Sequence, residues 1–148
     1  MRILAVFLFL LAGTASAQQT VTWPENNVQF TMPENGSTGN HNETTFEWNG
    51  TRYSVILYFS KRGFDLKEAA QATIAAGRET GVKKVEREKE IKTETMEGMY
   101  FKGDKSGQPV VFAGLLNGKL KRGIFVEIGY TGSFEDALKI LDTFVISK

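Results

Sequence analysis

The sequence predicts an α+β domain, an antiparallel sheet of about six or more strands accompanied by two helices. Three observations predict this class: short β-prone segments with alternating hydrophobicity, Asn-Gly pairs between such segments, and two helix-capping patterns. Strands joined by hairpins, with the helices kept apart from them, favour a sheet that has at least one helix-covered face.

The first β-prone segments are residues 21–23 and 28–32, which Pro24 separates. Pro33 ends the second segment, because proline has no backbone donor for a strand ladder. Residues 34–43 are rich in Asn, Gly, Ser and Thr, and this composition predicts a flexible surface loop.

Two Asn-Gly pairs indicate hairpins, since this dipeptide accepts the positive φ angles of a type I′ turn. The pairs and their flanking segments are Asn49-Gly50 between residues 44–48 and 52–60, and Asn117-Gly118 between residues 108–116 and 120–130. Apolar residues on both faces of segment 52–60 predict a central strand.

The first helix is predicted over residues 65–77, where Asp65 and Glu68 form a capping-box pattern. Gly77 and Gly81 offer two places for it to end. Its expected buried stripe consists of Leu66, Ala69, Ala70, Thr73 and Ile74.

The second helix is predicted over residues 134–142, opened by a capping pattern from Ser133 to Asp136 and followed by a strand at 144–146. A further strand is expected over residues 96–102, linked to the next by residues 103–107. Segment 82–94 alternates Glu with Arg and Lys, which is typical of an exposed edge strand whose charges discourage aggregation. Its acids are Glu86, Glu88 and Glu90.

Residues 1–17 have the pattern of a secretory signal peptide: Arg2, an apolar run of roughly ten residues, and Ala15-Ser16-Ala17 before Gln18. Spanning a bilayer needs about twenty apolar residues, so we expect a cleaved leader and one mature domain, residues 18–148. The chain has no cysteine for a thioether lipid anchor or a disulfide. We therefore expect a periplasmic or extracellular protein without a stable membrane anchor.

The balance of charge argues against a nucleic-acid partner. Without the predicted leader, basic and acidic residues are equal in number, whereas phosphate binding requires a surplus of clustered Lys and Arg. The sequons at Asn35, Asn42 and Asn49 would matter only in a eukaryotic secretory route.

The sequence also offers little for catalysis. His41 is the only histidine and lies among polar residues, so we expect a solvated side chain and not a triad base. We expect no metal and no cofactor, because multiple His or Cys ligands, an acidic calcium loop and a phosphate-cradling glycine loop are all missing.

The order of elements resembles that of the superfamily of PsbP, the extrinsic photosystem protein, and its Ran-binding relative. The carriers of the resemblance are the strand that stops at proline (28–33), the helix after the first hairpin, and the ending 137–146, a helix that runs into a Phe-bearing strand. The resemblance implies this fold and a non-catalytic binding or assembly role. It transfers no metal or partner residue, and the chain has Glu34-Asn35-Gly36 where family members often have Gly-Trp.

Two groups of residues are candidates for partner binding. One is an aromatic set on alternating strand positions, and the other is a small basic group after the second Asn-Gly pair, with Lys102 and Lys105 expected nearby if adjacent strands pair. The leading candidates are Trp48, Tyr53, Tyr58, Lys119, Lys121 and Arg122, and the wider aromatic set adds Trp23, Phe46 and Tyr100.

These observations favour an exported, non-catalytic protein that binds another protein of the cell envelope. Two alternatives stay open. A carrier would hold a small apolar ligand between the sheet and the Ala-rich helix, and a carboxylate-based hydrolase would need two acids facing each other across a cleft, one with a raised pKa.

Overall fold

Antiparallel pairing organises the chain into two sheets. The structure is a computed structural model that describes residues 17–60 and 64–148. The predicted leader up to Ser16 lies outside the described residues, so its cleavage stays a prediction.

Within the described residues, one sheet has seven strands in the order β3-β4-β5-β9-β8-β7-β6 and the other has three in the order β1-β2-β10. The strands are β1 Gln19–Trp23, β2 Val28–Met32, β3 Ser37–His41, β4 Thr45–Asn49, β5 Tyr53–Phe59, β6 Lys89–Lys92, β7 Glu97–Lys105, β8 Gln108–Asn117, β9 Arg122–Tyr130 and β10 Val145–Ile146. The helices are α1 Ala69–Glu79 and α2 Phe134–Asp142, with a short 3-10 turn at Pro24–Asn26. The predicted α+β class with two helices is confirmed.

The main core lies between the two sheets. The inner face of the seven-stranded sheet, defined as the side facing the three-stranded sheet and α2, buries Trp48 and Leu57 completely. From the opposite side Phe30 and Phe144 contribute stacked rings with centroids 4.6 Å apart. Each such side chain contributes about 1.5–3 kcal/mol by leaving water, so this face is the principal source of stability.

Helix α1 packs on the outer face of the same sheet, over β7 and β8. The approach is close because small residues meet there: a Cβ added to Gly77 would lie 2.5 Å from the Phe101 ring, and one added to Gly114 would lie 2.3 Å from Thr73 Oγ1. The Ala-rich helix therefore rests directly on the sheet, at the place where the carrier alternative needed room.

The start of α1 differs from the prediction. The helix begins at Ala69, after a turn in which Asp65 Oδ1 accepts a hydrogen bond from the Glu68 N–H at 2.9 Å. Leu66 precedes the first helical residue, so the helical period does not apply to it, and it is 48% exposed instead of buried. The helix ends at Glu79, and Gly81 follows with a φ of +93°, as expected for a helix-ending glycine.

Neither Asn-Gly pair forms the predicted two-residue turn, because none of the four residues, Asn49, Gly50, Asn117 and Gly118, has a positive φ angle. The first loop spans residues 50–52, and the carboxylate of Glu34 accepts hydrogen bonds from the backbone N–H groups of Arg52 (2.9 Å) and Tyr53 (3.1 Å). The Glu34 side chain, which is distant in sequence, therefore holds this loop in place of a tight Asn-Gly turn. The tight turn with two positive φ angles is at Ser106-Gly107, between β7 and β8.

Residues 34–43 are not only a loop, because residues 37–41 form β3 at the edge of the large sheet. Every residue of β3 is exposed, so the strand needs only backbone hydrogen bonds and leaves no apolar pattern in the sequence. The opposite edge is the charged strand β6, which forms only residues Lys89–Lys92 of the predicted segment 82–94, so that Glu86 and Glu88 precede the strand. The α2 start is also confirmed, because the Ser133 hydroxyl accepts a hydrogen bond from the Asp136 N–H at 3.1 Å.

Candidate protein-binding face

The outer face of the large sheet is covered unevenly. Helix α1 lies over β7 and β8, whereas the outward side chains of β4, β5 and β9 remain partly exposed apart from one buried acid. We call this second region the open face. Its members are Thr45, Glu47, Ser54, Ile56, Tyr58, Phe125 and Glu127.

Strand register places the open-face residues in two neighbouring rows. Ile56 on β5 pairs with Glu47 on β4 and with Glu127 on β9, so the two acids flank an apolar side chain. In the next row, Tyr58 lies between Thr45 and Phe125. Apolar and acidic side chains therefore lie within a few ångströms of one another on this face, because residues paired on one face of a sheet are near neighbours.

Glu127 is the buried charge of this face. Its side chain is 7% exposed, and both carboxylate oxygens accept hydrogen bonds from Lys105 Nζ, at 2.8 and 3.0 Å. Lys105 is at the end of β7, so its side chain reaches past β8 to the acid on β9. Burying a carboxylate without such a partner would cost several kcal/mol. The ion pair also links the helix-covered half of the outer face, which holds Lys105, to the open half, which holds Glu127.

The pKa of the Tyr58 hydroxyl reflects burial and the acids of the open face. Burial raises the pKa of its hydroxyl to about 12, and the neighbouring carboxylates of Glu127 and Glu47 act in the same direction. Within residues 17–60 and 64–148, no hydrogen-bond partner satisfies this hydroxyl. The negative charge around it favours a neutral phenol that can donate a hydrogen bond to an incoming group.

Of the two acids on the open face, Glu47 has no cationic partner within the described part of the chain. Its Oε2 lies only 3.2 Å from where a Cβ on Gly39 would be, so the carboxylate leans over the small residue of β3. A partly buried, unpaired carboxylate beside Ile56 is a feature that an added cation would stabilise.

The aromatic candidates do not form one surface. Trp48 and Tyr53 point to the inner face and are 0% and 3% exposed, while Tyr58 points to the outer face. Of the wider set, Trp23 and Phe46 are also buried in the core, and Tyr100 is partly buried near Phe134. Alternation along β5 separates Tyr53 from Tyr58, because residues an odd number of positions apart point to opposite faces.

The basic candidates are also separated. Lys119 and Lys121 are exposed in the loop before β9, whereas Arg122 donates a hydrogen bond to Asn26 Oδ1 at 2.8 Å and lies over the Phe59 ring. Lys105 is not near them, because antiparallel pairing of β7 with β8 puts it at the opposite end of the sheet. Lys102 lies instead near Glu86 at 3.9 Å.

Sequence reasoning did not select Glu47 or Glu127, and it expected Lys105 beside the basic group instead of beside an acid. Their only common signal is an outward position on a strand, and the pairing of strands distant in sequence decides which of them meet. An acid at an outward position between apolar residues, as in Val126-Glu127-Ile128, is the one local sign that marked the buried charge.

Other chemistry is sparse in the described residues. His41, on β3, pairs with Glu25 at 2.8 Å, and no group of three or more His, Cys, Asp or Glu side chains is arranged to hold a metal there. Glu47 and Glu127 lie on the same sheet face with Ile56 between them and do not face each other across a cleft, which the hydrolase alternative needs. None of the described helices is long and apolar enough to cross a membrane.

No protein-family model and no curated protein sequence matches the chain. Solved structures do match its fold. The crystal structure of the Ran-binding protein Mog1p of Saccharomyces cerevisiae has a TM-score of 0.56 at 13% sequence identity and covers 88% of this chain and 96% of its own. A mutant form of Mog1 has a TM-score of 0.55 at 14% identity, with the same coverage. The two-sheet arrangement described above is therefore the fold that Mog1p has.

Proposed function

We propose that this chain is an exported, non-catalytic binding protein of the cell envelope, and that it recognises a protein partner with the open face. The observation that carries the proposal is the unequal covering of the large sheet. Its inner face is sealed by a second sheet and α2, whereas β4, β5 and β9 present partly exposed apolar and acidic side chains on the other face. Such mixed surfaces suit protein recognition, in which an apolar centre excludes water and polar groups define the partner.

The similarity to Mog1p supports this proposal at the level of fold. Mog1p is named as a Ran-binding protein, and we infer by analogy that the same architecture serves protein binding here. We also infer that the chain shares the superfamily of PsbP and its Ran-binding relative, to which its order of elements was similar. The partner of this chain is expected to be different, since the identity is low.

Export is the second part of the proposal and is supported by the leader pattern of residues 1–17. Replacing Leu8 by Arg would interrupt the apolar run. We expect this variant to stay in the cytoplasm with its leader attached, while the natural chain is recovered outside it in shortened form. Equal fractionation of both forms would contradict export.

The binding face can be tested by placing a photo-crosslinking amino acid at Ile56 in the full-length protein. The matched control is the same amino acid at Ile91, a partly buried isoleucine on the charged edge strand β6. We expect a discrete protein adduct from position 56 that is absent from position 91. A discrete adduct only from position 91, or none from either, would contradict the proposed face.

The adduct should also depend on charge. We expect Glu47→Lys to reduce it, because the substitution reverses the only open-face charge without an ionic partner among the described residues. Lys89→Glu, on β6, is the control and should leave the adduct unchanged.

A further inference from the structure

Two adjacent glutamines near the start of the described residues, Gln18 and Gln19, differ in how their side-chain amides are held. The side-chain amide of Gln19 is held at both ends by the Gly36 backbone: its Oε1 accepts from the N–H at 3.0 Å, and its Nε2 donates to the carbonyl at 3.5 Å. Gln18 is exposed, and within the described residues nothing holds its amide in this way.

Gln18 lies at a cleft of about 340 Å³ between the end of β2, the start of β5 and α2. The charged residues at this cleft are already paired, Lys139 with Asp136 at 2.8 Å and Arg52 with Glu34 at 3.2 Å. A new positive charge at Gln18 would therefore find no unpaired acid among these four residues. The open space next to Gln18 leaves its side chain free to turn back on its own backbone.

We propose that Gln18 is a modification site and that the mature chain begins with pyroglutamate at this position. This inference rests on the proposed export, since it requires cleavage after Ala17. The freed α-amine attacks the side-chain amide carbon Cδ, a C–N bond closes the five-membered lactam, and the amide nitrogen leaves as ammonia. The reaction needs no oxidant, reductant or other reactant.

The modification changes the chemistry of this end of the molecule. The α-ammonium is lost and a neutral lactam replaces it, so no uncompensated charge is added beside the paired ions of the cleft. The exported chain also loses the free amine that aminopeptidases recognise.

The test is mass spectrometry of the N-terminal peptide of the full-length gene product, isolated from the compartment in which it accumulates. We expect a peptide that starts at position 18 and is lighter than its free form by one ammonia. A free Gln18 amine would overturn the modification and leave export standing. A peptide that still contains the leader, or one that starts at another residue, would overturn the inference together with the cleavage on which it rests.

A second measurement tests whether the hydrogen bonds to Gly36 prevent Gln19 from cyclising as readily as Gln18. A variant with Gln18 deleted would expose Gln19 as the N-terminus, and its amide must leave both Gly36 hydrogen bonds before it can cyclise. We expect cyclisation about tenfold slower in the folded variant than in urea, whereas the natural chain should differ little between the two conditions. Equal ratios for both chains would contradict the role assigned to Gly36.

Discussion

The two faces of the seven-stranded sheet have opposite characters although the same strands build both. On β5, Leu57 is fully buried under the second sheet, while its neighbours Ile56 and Tyr58 remain partly exposed on the open face. The inner face is almost entirely apolar, whereas the outer face carries a buried ion pair and a glycine-mediated helix contact. The inner face is sealed along its length, whereas α1 seals the outer face only over β7 and β8 and leaves β4, β5 and β9 available for recognition.

The sharpest test of this comparison is a pair of neighbouring truncations. Leu57→Ala should lower the free energy of unfolding by about 3–5 kcal/mol, because it opens a cavity in the sealed core. Ile56→Ala should cost clearly less, about 1 kcal/mol, since solvent can reach the site. Urea denaturation measures both values, and similar losses would break the distinction between the faces.

The ion pair is the exception on the outer face. Lys105→Met should destabilise the fold by about 2–4 kcal/mol, because it leaves the Glu127 carboxylate buried without a partner. Adding Glu127→Gln should restore most of the loss by removing the unpaired charge. A double variant that is no more stable than the single one would show that the effect is not electrostatic.

The contact of α1 with the sheet should be sensitive to a single methyl group. Gly77→Ala gains helix propensity, but its Cβ would lie 2.5 Å from the Phe101 ring, so we expect a net loss of about 1 kcal/mol. The control is Gly118→Ala, where no atom lies within 4 Å, and thermal unfolding should show almost no change. Stabilisation by Gly77→Ala would mean that the helix lies farther from the sheet.

The smallest expected effect concerns Tyr58 and pH. Its pKa of about 12 in the folded state exceeds the ordinary value, so the neutral phenol contributes stability that is fully present below about pH 10. This stability is lost as the pH rises through the folded-state pKa. The difference in ultraviolet absorbance titration between the natural chain and Tyr58→Phe isolates this group.

Glu47→Gln should move the Tyr58 titration to lower pH, because it removes one of the two carboxylates that raise the pKa. Glu43→Gln, at an exposed position next to β4, serves as the control. An unchanged titration midpoint in Glu47→Gln would show that Glu47 does not raise the pKa of Tyr58.

Local patterns predicted most of the elements but not the way they pair. The capping pattern at Ser133, the alternation along β9 and the charged edge strand β6 were all visible in the sequence. The loop after β4 was not, because Glu34 holds it from a position distant in sequence. Leu66 was misassigned because its helix begins three residues later.

Hydrophobic period and helix capping act within a few residues, so the sequence alone predicts the fold class, the two helices and the apolar residues available for a core. The strand order and helix packing of the folded chain establish that α1 covers β7 and β8 and leaves β4, β5 and β9 open. They also bring Lys105 to Glu127 and put Trp48 and Tyr58 on opposite faces. The physical reason is that strand order and register bring together residues whose separation along the chain carries no local signal.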